Sequence, residues 1–195
     1  MYTNAYISQA FLERCVRYRK IFIDTSALME TSSLEFFKNI VPYLKREGKK
    51  LFVPYSVKFE LEKLANDPDC CKRQRAREAL KLLADNAKFV EFYGGGAGGE
   101  FADNDFLTIF TGLRLKDELV LVTQDRNLAR SILKLGKDTD AVRHVKKIFA
   151  QRLDAKGFLQ RIFDKPKPNA KGFVNTNLTD TSYNTPFGEF NISYA

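Results

Sequence analysis

Apolar positions recur along this chain with two alternating periods, one near 3.6 residues and one in short continuous runs. Ile7, Phe11 and Cys15 stand four apart and predict an amphipathic helix over residues 5–19, with Arg14, Arg17 and Arg19 toward its end, where cations suit the helix dipole. Lys20-Ile21-Phe22-Ile23 is too short and too apolar for a surface helix and reads as a buried strand, stopped by Asp24. Ser32 or Ser33 then offers an N-cap for a helix through Leu34, Phe37, Val41 and Leu44, with Gly48 at its C-terminal stop and Pro42 as a candidate kink. A second strand is expected at Lys50–Val53. Val57, Leu61 and Leu64 give a helical face over 54–65, closed by Asn66-Asp67-Pro68. Ala76, Leu80 and Leu83 mark the inner face of another helix from about Asp69 to Ala84, leaving Lys72, Arg73, Arg75 and Arg77 mostly outward.

The second half repeats the order. Lys88–Phe92 is a third strand, followed by five glycines in the six residues 94–99, a run expected to form a mobile loop; without a following Lys-Ser or Lys-Thr pair it is not a P-loop. Phe106, Leu107, Phe110 and Leu113 predict a helix from Asp103 or Asn104 to Leu115. Glu118–Val122 is a fourth strand, and Leu128, Ile132 and Leu135 a helix opened by Asp125. Strands alternating with helices predict an α/β fold, a mostly parallel sheet covered by helices on both faces in three layers, over about residues 20–136 with its limit open as far as 163. Residues 1–19 are a separate amphipathic helix in this reading. Beyond 141 the pattern supports two structures equally: a helix through Val142, Val145, Phe149 and Leu153, or a hairpin of 146–153 with 158–163 turning at Asp154–Gly157.

Composition narrows the class. With 44% hydrophobic and 29% charged residues the chain is ordinary globular protein, and no apolar run approaches a membrane span. The N-terminus has no signal-peptide pattern and the three cysteines, Cys15, Cys70 and Cys71, make neither a disulfide framework nor a CxxC metal pair, so a reducing, cytoplasmic setting is expected and zinc is not. The net charge of +8 favours a polyanionic partner. Much of it sits in one arm: residues 137–171 hold ten Lys or Arg against four Asp, whereas 172–195 hold no Lys or Arg, and that aromatic, Asn- and Thr-rich tail is open to disorder, to docking on the domain or to adding a strand to a partner. The single histidine, His144, lies in this basic stretch with no nucleophile motif nearby, which weighs against His-based catalysis.

The chemistry lies in where the acids fall. Asp24 follows the first strand, Glu60 lies on the helix after the second, Asp103 and Asp105 open the helix before the fourth, and Asp125 follows the fourth. Groups at the carboxyl ends of neighbouring parallel strands converge on one crevice. Carboxylates gathered there repel by about 4 kcal/mol per ionised pair at 4 Å and an effective dielectric of 20, so they keep protons or hold a divalent cation. Oxygen donors without His or Cys suit Mg²⁺ or Mn²⁺. Each acid also has a plain alternative. Asp103 and Asp125 serve as N-caps, Glu60 pairs with Lys63 on a solvated face, and only Asp24, at the edge of a dry core, demands a partner.

Phe22-Ile23-Asp24-Thr25-Ser26-Ala27-Leu28-Met29 resembles the opening motif of the PIN-domain nucleases. Val53-Pro54 through Glu60-Leu61 resembles their second motif, Phe101-Ala102-Asp103-Asn104-Asp105 the third, and Val122-Thr123-Gln124-Asp125-Arg126-Asn127 the fourth; the four, in order, span about residues 20–136. The resemblance implies a PIN-like three-layer domain with a basic C-terminal extension, and a metal-dependent endoribonuclease with Asp24, Glu60, Asp103 and Asp125 as the acidic tetrad. Asp24, Asp103, Asp105 and Asp125 would bind Mg²⁺ or Mn²⁺, Asp105 replacing or supplementing Asp103, with Thr25, Ser26 and Thr123 orienting a carboxylate or water. Asn127 stands where some members carry a further acid. RNA is the implied substrate, its phosphates met by Lys72, Arg73, Arg75, Arg126, Arg143, Lys146 and Lys147. Phe92, Tyr93 and Phe101 are open between base stacking and core packing. A homodimer and an antitoxin or other protein inhibitor are the further partners it admits, and no membrane. The glycine run and basic tail lie outside the short toxin-like members. A PIN-like RNA- or protein-binding module without cleavage, and a structure-specific DNA nuclease, are the alternatives. A DxD phosphotransferase fails at Ser26, and an Asp-x-Ser-x-Ser adhesion motif fails at Leu28.

Overall fold

In the computed structural model of the chain, residues 4–94, 102–137 and 145–163 are described, with the side chains of 4–7, 102 and 103 left out. The helices and strands expected as far as residue 136 are present, joined by a short helix that the pattern does not predict, α2: α1 (Asn4–Tyr18), β1 (Lys20–Ile23), α2 (Thr25–Leu28), α3 (Ser33–Glu47), β2 (Leu51–Pro54), α4 (Tyr55–Leu64), α5 (Cys70–Asp85), β3 (Val90–Tyr93), α6 (Ala102–Leu113), β4 (Leu119–Val122) and α7 (Arg126–Lys137), followed by β5 (Ile148–Leu153) and β6 (Leu159–Arg161). The six strands form one sheet in the order β3-β2-β1-β4-β5-β6, parallel except for the final pair. β1 and β4 sit at its centre, and β4 is buried along its whole length. Ile21, Phe22 and Ile23, and all four residues of β4, are buried, so neighbouring residues that point to opposite faces are both covered, as a parallel sheet between helical layers requires.

Local chemistry explains the ends. Gly48 adopts φ 62° and closes α3 in the left-handed conformation that glycine adopts at no steric cost. Ser32 occupies the N-cap position of α3, but its side chain makes no capping bond, and α3 runs through Pro42. Asp69 caps α5, accepting from the backbone N–H of Cys71 at 2.8 Å and of Lys72 at 3.3 Å. α1 belongs to the core: Leu12, Cys15 and Val16 are buried and the helix packs on α3 and β1.

The undecided segment is a hairpin. β5 extends the sheet beside β4, Leu119 opposite Ile148 through Val122 opposite Gln151, and β6 returns antiparallel. A helix over the same residues would satisfy only its own backbone, whereas the strand also satisfies the N–H and C=O groups of β4. Asp154 Oδ1 builds the turn by accepting from Lys156 N at 2.9 Å and Phe158 N at 2.8 Å. Gly157 has φ 72°, and a Cβ there would fall 2.2 Å from the Phe36 nitrogen, so the turn lies against the first turn of α3 without space for a side chain. The sheet thus extends to Arg161. Residues 164–195, the glycine run from 95 and the stretch 138–144 with Arg143 and His144 lie outside the described residues.

Candidate active site

Because β1 and β4 are parallel and in register, Lys20 opposite Leu119 and Ile23 opposite Val122, the residues that follow them, Asp24 and Thr123, emerge side by side. Both are buried: Asp24 is 5% exposed and Thr123 fully enclosed. Asp24 is the N-cap of α2, so the short helix turns Thr25 and Ser26 back across the strand end. Ser26 Oγ donates to Asp24 Oδ2 at 2.6 Å and Thr123 Oγ1 donates to the same oxygen at 2.9 Å. The two hydroxyl oxygens lie 3.1 Å apart. Each has one proton, already committed to Asp24, and each accepts from a backbone N–H: Gln124 N reaches Ser26 Oγ at 2.9 Å and Asp125 N reaches Thr123 Oγ1 at 3.0 Å. Two chains of dipoles, backbone to hydroxyl to carboxylate, therefore point positive ends at one buried oxygen.

That arrangement sets Asp24 between opposing effects. Burial pushes its carboxyl above the ordinary range by penalising the charged form, while the Ser26 and Thr123 hydroxyls and the backbone N–H groups of Thr25 and Ser26 pull it back toward ionisation. A proton on Oδ1 or a nearby cation would relieve this tension and leave both dipole chains to Oδ2 in place.

The second acid is tied in by the adjacent hydroxyl. Thr25 Oγ1 donates to Glu60 Oε2 at 2.6 Å, a short charge-assisted bond from α2 to exposed Glu60 on α4. Asp125, also exposed, caps α7 through Oδ1, which accepts from Asn127 N at 2.6 Å and Leu128 N at 3.1 Å. The plain reading of Asp125 as a helix cap is thus realised at one oxygen, while its own N–H is bound to the hydroxyl that serves Asp24. Asp103 and Asp105 both lie in the first turn of α6, which packs against α4; Asp105 is half-buried, and the side chain of Asp103 lies outside the described set.

Asp24, Thr25, Ser26, Glu60, Thr123 and Asp125, from three separate stretches of chain, form one hydrogen-bonded network. The network joins the Asp24 carboxylate to the backbone N–H of Asp125 through the Thr123 hydroxyl, and the Glu60 carboxylate to Thr25; among the described residues the one group of three acidic or thiol ligand atoms within 4.8 Å of one another is Asp69, Cys70 and Cys71, exposed at the start of α5. Those two thiols, 3.9 Å apart, and an Asp occupied as a helix cap are not a hard-oxygen set.

The basic residues are less concentrated. Arg126 is exposed directly beside Asp125, and Lys72 and Arg75 are exposed on α5. Arg73 is turned inward to hold the α4–α5 turn, donating from Nη1 to the Asp67 carbonyl at 2.8 Å and to that of Pro68 at 3.3 Å. Lys146 and Lys147 precede β5, which runs parallel to β4, so they stand at the amino edge of the sheet while Asp24 and Asp125 stand at the carboxyl edge. Their side chains are exposed, but Lys147 is level with Glu118 and Asp24 with Thr123, which separates them by roughly 16 Å along the strand. Tyr93 is a core residue, its ring edge-on to Phe22 and Phe52 at 5.5 and 5.8 Å. Phe101 lies outside the described residues.

Two contributors had no recognised signal. Gln124, between two motif residues, anchors the β4 end to β5 through Nε2 to the Leu153 carbonyl at 3.3 Å. Tyr55 and Phe59 are large aromatics left exposed on the helix that carries Glu60; their i, i+4 spacing was legible, but not the face it occupies. No protein-family model matches the chain, and no curated protein matches it.

Proposed function

We propose that this protein is a metal-dependent endoribonuclease of PIN-like type. The observation that carries the reading is the buried carboxylate of Asp24, supported by two hydroxyl dipole chains at the carboxyl ends of the two central strands and linked through Thr123 to Asp125. A buried acid whose charge burial disfavours and whose orientation two hydroxyls fix, with no ion pair reaching it among the described residues, suits a site completed by a cation.

Oxygen donors without His or Cys suit a hard divalent ion. Asp24 and Asp125, with Asp103 or Asp105, would hold Mg²⁺ or Mn²⁺, which when bound polarises a phosphodiester oxygen and acidifies water. The chain's own residues do the rest. Ser26 and Thr123 fix the orientation of the Asp24 carboxylate, so little reorganisation accompanies the reaction. Thr25 holds Glu60 at the rim, where its carboxylate can accept a proton from an attacking water. Arg126, beside Asp125, and the exposed cations of α5 neutralise backbone phosphates that the acids alone would repel. The chemistry needs neither histidine nor a covalent nucleophile.

The test is hydrolysis of labelled single-stranded RNA, and of DNA of the same sequence, in Mg²⁺, Mn²⁺ or EDTA. RNA cut internally with metal and untouched in EDTA is expected; binding without cleavage in both metals would replace the enzyme by an RNA- or protein-binding module, and preferential cutting of DNA would replace its substrate.

A further inference from the structure

Among the described residues, Tyr18, Leu34 and Leu115 are large apolar side chains exposed singly, as on any protein surface, whereas Tyr55 and Phe59, 38% and 48% exposed, share one face of α4. Tyr55, Lys58, Phe59 and Glu62 stand at i, i+3, i+4 and i+7, and the buried face of the same helix is Val57 and Leu61. The Tyr55 ring lies 6.4 Å from Phe59 and 5.6 Å from half-buried Phe92 on β3, at interplanar angles of 32° and 31°. The Tyr55 ring thus stands between two aromatic neighbours, each tilted to it at a similar angle. Lys58 Nζ sits over the Phe92 ring, 5.4 Å from its centroid, and 3.6 Å from Glu62, so a cation stands over one of the three rings and beside the other two.

Its location selects the occupant. Phe52 of β2 is level with Phe22 of β1, and Val53 with Phe92 of β3, so Tyr55 and Phe92 lie at the same carboxyl edge of the sheet as Asp24, one to two strand spacings away, about 10 Å at most in the plane of the sheet. Glu60, bonded to Thr25, is on the helix that carries two of the rings. Flat apolar faces with a cation beside them, a nucleotide-scale distance from an acidic site, match a stacked base and its flanking phosphate better than an apolar peptide, which has no use for Lys58.

We infer that Tyr55, Phe59 and Phe92, with Lys58, form a stacking subsite for unpaired nucleobases. The inference rests on the nuclease reading for the identity of the strand, but its test does not require cleavage. A labelled short oligouridylate and an abasic strand of equal length are titrated by fluorescence anisotropy in EDTA. Base stacking on an aromatic is worth about 1–3 kcal/mol, so the base-bearing strand should bind about tenfold or more tightly than the abasic one. Tyr55→Ala and Phe59→Ala should each erase most of that difference while leaving abasic binding unchanged, and Tyr55→Phe should retain it. Both changed residues are exposed, and thermal melting of each variant establishes that it is folded. Equal binding of the two strands by the wild type, or an undiminished base preference in both alanine variants, overturns the subsite, including the case in which the three rings serve a protein partner. Base-dependent binding with no metal-supported cleavage would leave the subsite standing and remove the nuclease.

Discussion

The two ends of β1 and β4 are built on opposite electrostatic plans. At the amino end every acid meets a cation: Arg19 Nε reaches Glu118 at 3.0 Å and Lys20 Nζ reaches Asp117 at 2.8 Å. Arg19 also donates to Cys15 Sγ at 3.3 Å and lies over the Phe149 ring, 4.1 Å from its centroid. At the carboxyl end, some 13 Å along the same strands, Asp24 meets Ser26 and Thr123, and among the described residues no ion pair reaches Asp24 or Asp125. One end closes its charges against each other and joins α1, β1, β4 and β5. The other holds a buried carboxyl group on neutral dipoles, which costs stability and leaves that carboxyl without an ion-pair partner among the described residues.

The largest effect should come from breaking the closed end. Arg19→Ala removes a nearly buried guanidinium, its ion pair and its stacking on Phe149 together, and should lower unfolding free energy by about 2–3 kcal/mol in urea denaturation while leaving metal-dependent cleavage by the remaining folded protein intact. Loss of cleavage in step with Arg19 would mean that the ends are not independent. Next is Thr123→Val, nearly isosteric, which takes a donor from Asp24 and an acceptor from Asp125 N in a fully buried position. About 1–2 kcal/mol of stability should go, with cleavage down roughly tenfold, and Thr123→Ser should restore most of both. Equal damage by valine and serine would place the effect in packing.

The smallest effect is in pH. Asp24 titrates above its ordinary 3.8 because burial disfavours its charge. Between that value and the raised one the folded state binds more protons than the unfolded, so Asp24 makes stability fall as pH rises through the window. In EDTA the melting temperature of the wild type relative to Asp24→Asn should therefore decline from pH 3.5 toward neutrality. A difference that is constant, or grows in favour of the wild type, contradicts this origin. Thiol reactivity extends the contrast: Cys15, buried under Arg19, has its thiol pushed up to about 11 by burial, so a maleimide at neutral pH should label exposed Cys70 and Cys71 and spare Cys15.

What the sequence made legible follows from range. Ile21-Phe22-Ile23 and Leu119-Val120-Leu121-Val122 are continuous apolar runs, and such runs in an α/β order leave few places for a strand other than the buried middle of a parallel sheet. The acids after them were legible for the same reason, since a parallel register places both strand ends together. The hairpin at 148–161 was legible only as one of two alternatives, because Val145, Phe149 and Leu153 fit a helical face as well as a strand, and the deciding contact is with β4, distant in sequence. The short helix α2 was hidden, being a consequence of Asp24 capping its own turn. The inward use of Arg73 and the position of Lys146 and Lys147 at the far edge were missed since charge counts carry no direction. Tyr93 packs into the core because its alternation along β3 places it on the face shared by Phe22 and Phe52.

The most direct measurement of the central claim is binding of Mn²⁺ to the full chain, followed by loss of the free-ion paramagnetic resonance signal, in wild type and in Asp24→Asn. The Asp24 carboxylate, oriented by Ser26 and Thr123 and joined to Asp125, should bind Mn²⁺ in the wild type, with affinity falling at least about tenfold in a variant that still melts cooperatively. Unchanged affinity in Asp24→Asn, or no binding by the wild type, would contradict it.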